Sequence, residues 1–377
     1  MNRIKVLIIA GSMNVGGIEN QLMHLLRHAD KDRFQIDFTT TEEHPYFLDE
    51  MLSLGAKCIR IPGTDGRRFF RQIRALYRIM RSGQYDIVHS NELFHSGVVL
   101  LAARLAGVEH RFVHAHSCNQ DYGRNLIRLT YTRVMRALIK RNATCFLACS
   151  TLAAKFLYGE EILSDPRYHL VVNSVETERF LPETNQTERE PSENGWKTVL
   201  QVGRFRDEKN FIFTTEIAEA CKNRGDRIRF LFVGNNGENN PIEHEVRNRI
   251  EAGQLQNHVQ LLGVRKDVNE LMKHADAFIL PSKYEGMPLT LIEAQAACLP
   301  CVVADTFSHE VDFGVGAIRW IGLDESASVW ADAIEAAVVQ KLPSREAVKQ
   351  AIEMKGFDTW HFANTICRLY QDAMNEE

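Results

Sequence analysis

Short apolar runs alternate with stretches of helical periodicity, and the alternation happens twice. In the first half the runs are 4–10, 34–39, 57–61, 86–89, 111–114, 145–149 and 170–172, with helical patterns at 20–27, 69–80, 98–105 and 126–139. Runs this short and this apolar suit strands buried on both faces, and parallel strands need helical crossovers between them. Residues 181–196 then turn polar, with two prolines and no periodicity, as a linker does. The theme restarts at 198–202, 228–233, 259–262, 277–280, 301–304 and 318–321. The expected fold class is therefore α/β, with two doubly wound (Rossmann-like) parallel-sheet domains facing a central cleft. Residues 1–180 form the first, 197–356 the second, and an amphipathic helix within 357–377 crosses back to the first. A chain of 377 residues suits two such domains. Ligands are expected outside the carboxyl ends of the strands.

Charge divides unevenly along the chain. Residues 1–180 carry 24 Lys and Arg against 18 Asp and Glu, a balance of +6, and the remainder carries 21 against 31, a balance of −10. The first half is the one to expect beside an anionic partner. Two of its segments concentrate the charge. Arg67, Arg71, Arg74, Arg78 and Arg81 form one helical stripe, and Arg124, Arg128, Arg133, Arg136, Lys140 and Arg141 form another. Neither 67–81 nor 124–141 contains an acid. Apolar stripes accompany both, so these basic helices are expected to lie on an anionic membrane surface, the plain alternative being solvated outer faces. Aromatic residues sit on the apolar stripes rather than among the arginines, which disfavours nucleic acid.

No apolar run approaches the roughly 18 residues needed to span a bilayer. Residues 4–10 precede a glycine loop rather than a cleavage site, so they read as a buried strand and not a signal peptide. The eight cysteines lie mostly in apolar segments, and Cys298-Leu-Pro-Cys301 joins a helix end to a strand. A reduced, cytoplasmic chain is expected, peripheral at the inner face of the plasma membrane.

Three loops after strands carry the chemistry. Gly11, Gly16 and Gly17 lie between the first strand and helix, where close backbone approach suits a phosphate or, equally, a plain tight turn. The G-x-G-x-x-G spacing is missing, and no acid clearly closes the second strand as in dehydrogenases. Gly203-Arg204-Phe205, continuing to Glu208-Lys209-Asn210, follows the first strand of the second half. Two cations there suit a diphosphate that gains charge as its bond to a sugar breaks, or they form an exposed charged loop. Glu285-Gly286-Met287-Pro288-Leu289-Thr290, leading to Glu293, follows the run 277–280. Pro288 is expected at the first helical position, leaving the amides of Leu289 and Thr290 free for an anion. Glu293 then lies about 7 Å along the axis at about 1.5 Å per residue, placing two carboxylates around a diphosphate pocket. A loop acid and a solvated helix acid are the plain alternative. Leu262-Gly263-Val264-Arg265-Lys266-Asp267-Val268 ends a further strand, where backbone groups would read a base.

Together, Gly-Arg-Phe with Glu-Lys-Asn, Leu-Gly-Val-Arg-x-Asp-Val and E-G-M-P-L-T-L-I-E-A strongly resemble the family 4 retaining glycosyltransferases of GT-B fold. Gly-Gly-Ile-Glu-Asn and His114-Ala-His116-Ser117 look like that family's exopolysaccharide and capsule branch. The resemblance implies a hexosyltransferase moving sugar from a nucleotide sugar, with UDP favoured, to a glycan or polyprenyl-diphosphate-linked acceptor, with retention and no obligatory metal or cofactor. It implies that Arg204 and Lys209 grip the diphosphate and that Glu285 contacts the transferred sugar. Glu293 would bind the ribose, amides around Met287–Thr290 and Gly286 would line the phosphates, and Gly16, Gly17 and Arg265 would complete the donor site. His116 matches the family's cleft histidine, with His114 competing for the role. Asn173-Ser174-Val175 departs from the Asn-Gly-Val pattern, and Cys301 stands where Val is common.

Other classes fit less well. A GT-A transferase needs Asp-x-Asp, and Asp30-Lys31-Asp32 lies in a charged loop. A non-hydrolysing sugar-nucleotide epimerase shares the two-domain form and stays as the alternative. A dehydrogenase lacks its ribose acid, and a decayed scaffold is at odds with the intact Arg204, Lys209, Glu285 and Glu293.

Overall fold

The computed structural model describes residues 3–63, 68–118, 126–183, 195–234 and 240–375. It divides into two units, Met1–Ser174 with Thr359–Glu377 and Val175–Asp358. The division falls after Ser174 rather than after residue 180, for a local reason. Ser174 is tied to the first unit: its amide and hydroxyl donate to Gln21 Oε1 at 2.7 and 2.9 Å, and its carbonyl accepts from Gln21 Nε2 at 2.8 Å. Val175 instead donates to Phe357 O at 2.8 Å. The serine that replaces the expected glycine thus uses its hydroxyl. Most of the expected linker, 184–194, lies outside the described residues.

The first unit runs β1 (Ile4–Ile9), α1 (Gly17–His28), β2 (Phe34–Thr40), α2 (Leu48–Ser53), β3 (Cys58–Arg60), α3 (Arg68–Gly83) and β4 (Ile87–Ser90). It continues α4 (Ser96–Ala106), β5 (His110–Ala115), α5 (Leu126–Asn142), β6 (Cys145–Ala148), α6 (Thr151–Tyr158) and β7 (Tyr168–Leu170). All seven strands are parallel, in the order β3-β2-β1-β4-β5-β6-β7. Strand β7 lies two residues before the expected 170–172. Helix α6 escaped the periodicity because 145–158 is apolar almost throughout. Its start is set by Ser150, whose hydroxyl accepts from Ala153 N at 3.1 Å.

The second unit runs α7 (Thr177–Phe180), β8 (Lys197–Val202), α8 (Phe211–Arg224), β9 (Ile228–Val233), α9 (Pro241–Ala252), β10 (Val259–Gly263) and α10 (Val268–His274). Then come β11 (Ala277–Leu280), α11 (Leu289–Ala296), β12 (Cys301–Ala304), β13 (Ile318–Ile321), α12 (Ala327–Ala337) and α13 (Arg345–Lys355). Its six parallel strands follow the order β10-β9-β8-β11-β12-β13. The last helix, α14 (Thr359–Asn375), returns to the first unit and packs on α1. Its Phe362, Ile366 and Tyr370 are buried in that unit's core.

Each sheet reverses its strand order once, between β1 and β4 and between β8 and β11. Loops part in opposite directions at such a point and leave a crevice at the strands' carboxyl ends. Those two crevices hold the residues of interest.

Candidate active site

In the second unit, the β8 loop and the β11 loop are bound to each other. Lys283 N donates to Glu208 O at 2.8 Å, and Lys283 Nζ reaches Asp207 at 2.8 Å. Above this scaffold Lys209 Nζ donates to Glu285 Oε1 at 2.5 Å. Gln201, buried on β8, holds the lysine's backbone through Nε2 to Lys209 O at 2.7 Å. Arg204 is exposed, and its neighbour Phe205 is fully buried and stacked on Phe211, ring centres 4.3 Å apart. The loop's position depends on a glycine outside it. Gly234, past β9, has φ +143°, and a Cβ there would lie 1.8 Å from the Gly203 carbonyl oxygen. The φ of Gly203 is not positive, and the space around it is closed by the Lys209 side chain.

Helix α11 begins one residue later than expected. Pro288 is its N-cap, at φ −71° and ψ 111°, and its carbonyl accepts from Leu291 N at 3.1 Å and Ile292 N at 3.3 Å. The amides of Leu289 and Thr290 thus precede the first intrahelical donors, and the helix start is a place where anions bind readily. Gly286 and Met287 are buried beneath it. Three buried polar atoms in this crevice have no hydrogen-bond partner among the described residues: Thr290 Oγ1, Ser282 Oγ and Gln201 Oε1. Buried polar atoms are normally paired, so three unpaired ones together fit a polar ligand. Glu293 follows one turn on, with its carboxyl pushed up to about 7 by burial, Arg179 pulling it down and Glu176 adding to the rise. Arg265 is exposed after β10, the sheet's outer strand, and forms a two-pronged ion pair with Asp267 at 2.8 and 2.6 Å.

In the first unit, three histidine rings stand in a row across β4 and β5. His89 and His114 stack at 5.5 Å, and His114 and His116 lie 4.0 Å apart. Tyr370 of α14 closes one end, its hydroxyl 2.6 Å from His89 Nδ1. Asn91 closes the other, with Oδ1 2.9 Å from His116 Nε2. Burial drives all three toward the neutral form: His89 falls to about 3, His116 to about 4, and His114 goes well below its ordinary value. His114 sits between two rings, whereas His116 bonds a residue that lines a cavity.

That cavity, of about 440 Å³, lies at the β1/β4 crevice and is lined by Gly11, Ser12, Glu19, Gln72, Asn91 and Glu92 among others. Burial is the main reason the Glu92 carboxyl is pushed up to about 6; nearby Glu19 adds to the rise, and a hydrogen bond from the Gly11 amide opposes it. Gly16 is the N-cap of α1 at φ −166°, an extended conformation open to any residue, and Gly17 begins the helix. A Cβ on Gly16 would meet the Glu19 carboxylate at 2.3 Å. Sequence reasoning missed Asn91, Glu92 and the cavity itself.

The basic helices are only partly outward-facing. Arg71, Arg74, Arg78 and Arg81 of α3 are exposed, as are Arg128, Arg133 and Arg141 of α5. Arg136 is turned inward to Phe156 O at 2.7 Å and Leu157 O at 3.1 Å, and Lys140 pairs with Glu161. The apolar stripe of α5 is not wholly inward either, since Leu126 and Ile127 are 82% and 83% exposed. Arg67 and Arg124 lie outside the described residues. Among the described residues no helix is long and apolar enough to cross a membrane.

Two sequence families match the chain, Glycosyltransferase Family 4 over residues 15–179 and Glycosyl transferases group 1 over 183–354. A putative glycosyltransferase, EpsF of Bacillus subtilis, is 34% identical over 99% of this chain and 98% of its own. An Escherichia coli UDP-Gal:alpha-D-GlcNAc-diphosphoundecaprenol alpha-1,3-galactosyltransferase is 25% identical over 81% of this chain and 80% of its own. Among solved structures, Anabaena HepE in complex with UDP and glucose superposes with a TM-score of 0.78 at 16% identity, covering 98% of this chain and all of that one. That likeness, at such low identity, is a likeness of fold, the GT-B arrangement of two Rossmann-like domains.

Proposed function

The chain is a member of glycosyltransferase family 4, and we propose that it moves a sugar from a UDP-sugar to a glycan or polyprenyl-diphosphate-linked acceptor in cell-surface polysaccharide synthesis, retaining the anomeric configuration. The observation that carries this is the cluster at the β8/β11 crevice, where the Lys209–Glu285 pair stands beside the start of α11 and three unpaired polar atoms. Arg204 and Lys209 hold the diphosphate, helped by the Leu289 and Thr290 amides. Glu285 takes hydroxyls of the transferred sugar, and Glu293 takes the ribose. The UDP named for the Escherichia coli relative and for HepE supports that nucleotide, and the diphosphoundecaprenol acceptor of the former supports a lipid-linked one.

In the reaction the bond from the anomeric carbon to the diphosphate breaks, and the bond to an acceptor oxygen forms on the same face. The acceptor proton passes to the departing diphosphate. Fixed cations are worth most at that moment, since charge on the leaving oxygen grows as the bond lengthens. Arg204 and Lys209 supply this charge without a divalent ion. His116, neutral and held by Asn91, would stand on the acceptor side as a hydrogen-bonding group. The exposed arginines of α3 and α5 would keep the enzyme at the inner face of the plasma membrane, beside its lipid-linked acceptor.

The test is incubation with a panel of nucleotide sugars and a polyprenyl-diphosphate-linked saccharide, with mass analysis and NMR of the product. A single added hexose in a retained linkage, formed equally with chelator present, is the expected result. An inverted linkage, chelator-abolished activity, or an epimerised nucleotide sugar with no acceptor product would overturn it.

A further inference from the structure

Gln201 is an amide in an apolar place. It is the second-last residue of β8 and is 1% exposed. Side chains alternate along a strand, so it shares a face with Val199, and its partner in register on β9 is Phe232. Val199 and Phe232 belong to the unit's hydrophobic core, and Phe232 meets Phe211 edge to face, ring centres 5.2 Å apart. One end of the amide is used, since Nε2 donates to Lys209 O at 2.7 Å. The other, Oε1, is buried and has no hydrogen-bond partner among the described residues. A half-satisfied amide in a core is less stable there than an apolar side chain of the same shape. Stability alone would favour methionine at this position.

What the amide does instead is fix Lys209 at one of three points. The lysine's carbonyl is held by Gln201, and its stem lies along Gly203, where a Cβ would meet Lys209 Cδ at 3.3 Å. Its Nζ donates to Glu285 Oε1 at 2.5 Å. The chain then turns into α8 through Asn210, at φ 55° in the left-handed region. Among these points the carbonyl sets where the flexible stem begins, so a shift there is carried to the amine.

We propose that Gln201 is a positioning residue for the transfer reaction: by holding the Lys209 carbonyl it aims the ammonium at the departing diphosphate, and the chain gives up stability for this. The inference rests on the reading of Lys209 as a diphosphate cation and adds the residue that places it. A fixed charge is effective only where the developing charge will lie, and misplacement by about 1 Å can cost about 10²-fold. UDP reports on the same contact, because it is the leaving group with its charge fully developed.

The experiment measures UDP affinity by calorimetry and the urea unfolding midpoint for the full chain unaltered, as Gln201→Met, as Lys209→Ala and as the double variant. Methionine matches glutamine in length and has no donor. Gln201→Met is expected to weaken UDP about tenfold, the scale of one weakened hydrogen bond to a charged group, while its unfolding midpoint stays equal or rises. A merely structural role would lower both together. In the Lys209→Ala background the same change is expected to alter UDP affinity by less than about twofold, since no lysine is left to aim. A lowered midpoint or a failure to fold in Gln201→Met overturns the proposal, as does unchanged UDP affinity. So does a loss that persists without Lys209, which would mean that Gln201 touches the ligand itself. If Lys209→Ala weakens UDP and Gln201→Met does not, the positioning role fails alone. If Lys209→Ala leaves UDP affinity unchanged, the reading of Lys209 fails with it, and if UDP does not bind the unaltered chain, the UDP-sugar reading fails first.

Discussion

Lys209 and Glu285, 76 residues apart in the chain, meet at 2.5 Å with side chains only 18% and 13% exposed. A partly buried pair of this kind is costly to break from one side, because the remaining charge is left uncompensated. Lys209→Ala is therefore expected to act twice. It removes a cation from the proposed diphosphate site, lowering turnover about 10²-fold or more, and it leaves Glu285 without its partner. Steady-state rates at saturating donor are the measurement. Turnover and donor affinity close to those of the unaltered chain would end the assignment.

Glu293 offers a test by pH. Its carboxyl is pushed up to about 7, mainly by burial, so near neutrality both ionic forms are populated. If the carboxylate accepts ribose hydroxyls, the ionised form is the binding form. UDP affinity is then expected to be flat above pH 8 and to fall below pH 7, approaching about tenfold per pH unit. Glu293→Gln should bind more weakly and lose the pH dependence. Calorimetry with UDP between pH 5.5 and 8.5 decides it, and an unaltered pH profile in the variant would contradict the role.

The histidine row predicts a weakness toward acid. His89 and His116 have folded pKa values lowered to about 3 and about 4, against about 6.5 when unfolded. Below pH 6.5 the unfolded chain therefore binds more protons than the folded one, and stability falls as pH drops. Each such histidine contributes about 1.4 kcal/mol per pH unit in that window. His89→Gln removes one, so its loss of stability between pH 7 and pH 5 should be smaller than that of the unaltered chain by about 2 kcal/mol. Urea unfolding at the two pH values measures this; equal losses would show that His89 is not held neutral.

The strands were legible because their apolar character is local: each expected run overlaps a strand, and the crossover helices follow from parallel pairing. The loops after β8 and β11 were legible as units for a similar reason, since Arg204 to Lys209 and Glu285 to Glu293 are each contiguous in sequence. The β1/β4 cavity was not. Gly11, Glu19, Gln72 and Glu92 come together only once β1 and β4 are neighbours, and nothing in either strand names its partner. Gly234 was overlooked on the same ground, because its constraint is the carbonyl of Gly203 on an adjacent strand end. Arg265 was nominated by a local pattern as well; what the strand order adds is its place after the outer strand, where it pairs with Asp267.

The exposed arginines of α3 and α5 make a case for membrane attachment that the paired ones do not. Both helices pack against α4. Arg71, Arg74 and Arg78 project from α3 with Phe70, which is 76% exposed, while α5 exposes Leu126 and Ile127 near Arg128. Basic side chains interleaved with exposed apolar ones are what an interfacial helix presents to lipid. Each cation near an anionic surface is attracted by about 1 kcal/mol, so three together raise the bound fraction strongly. Arg136 and Lys140 are spent on contacts within the first unit and should matter little. Sedimentation with vesicles containing or lacking anionic lipid is expected to pellet the unaltered chain only with the former. Reversing three charges in Arg71/Arg74/Arg78→Glu should cut binding at least tenfold, and added salt should do the same by screening. Pelleting that ignores lipid charge, or is equal for the two proteins, would mean that these arginines only face water.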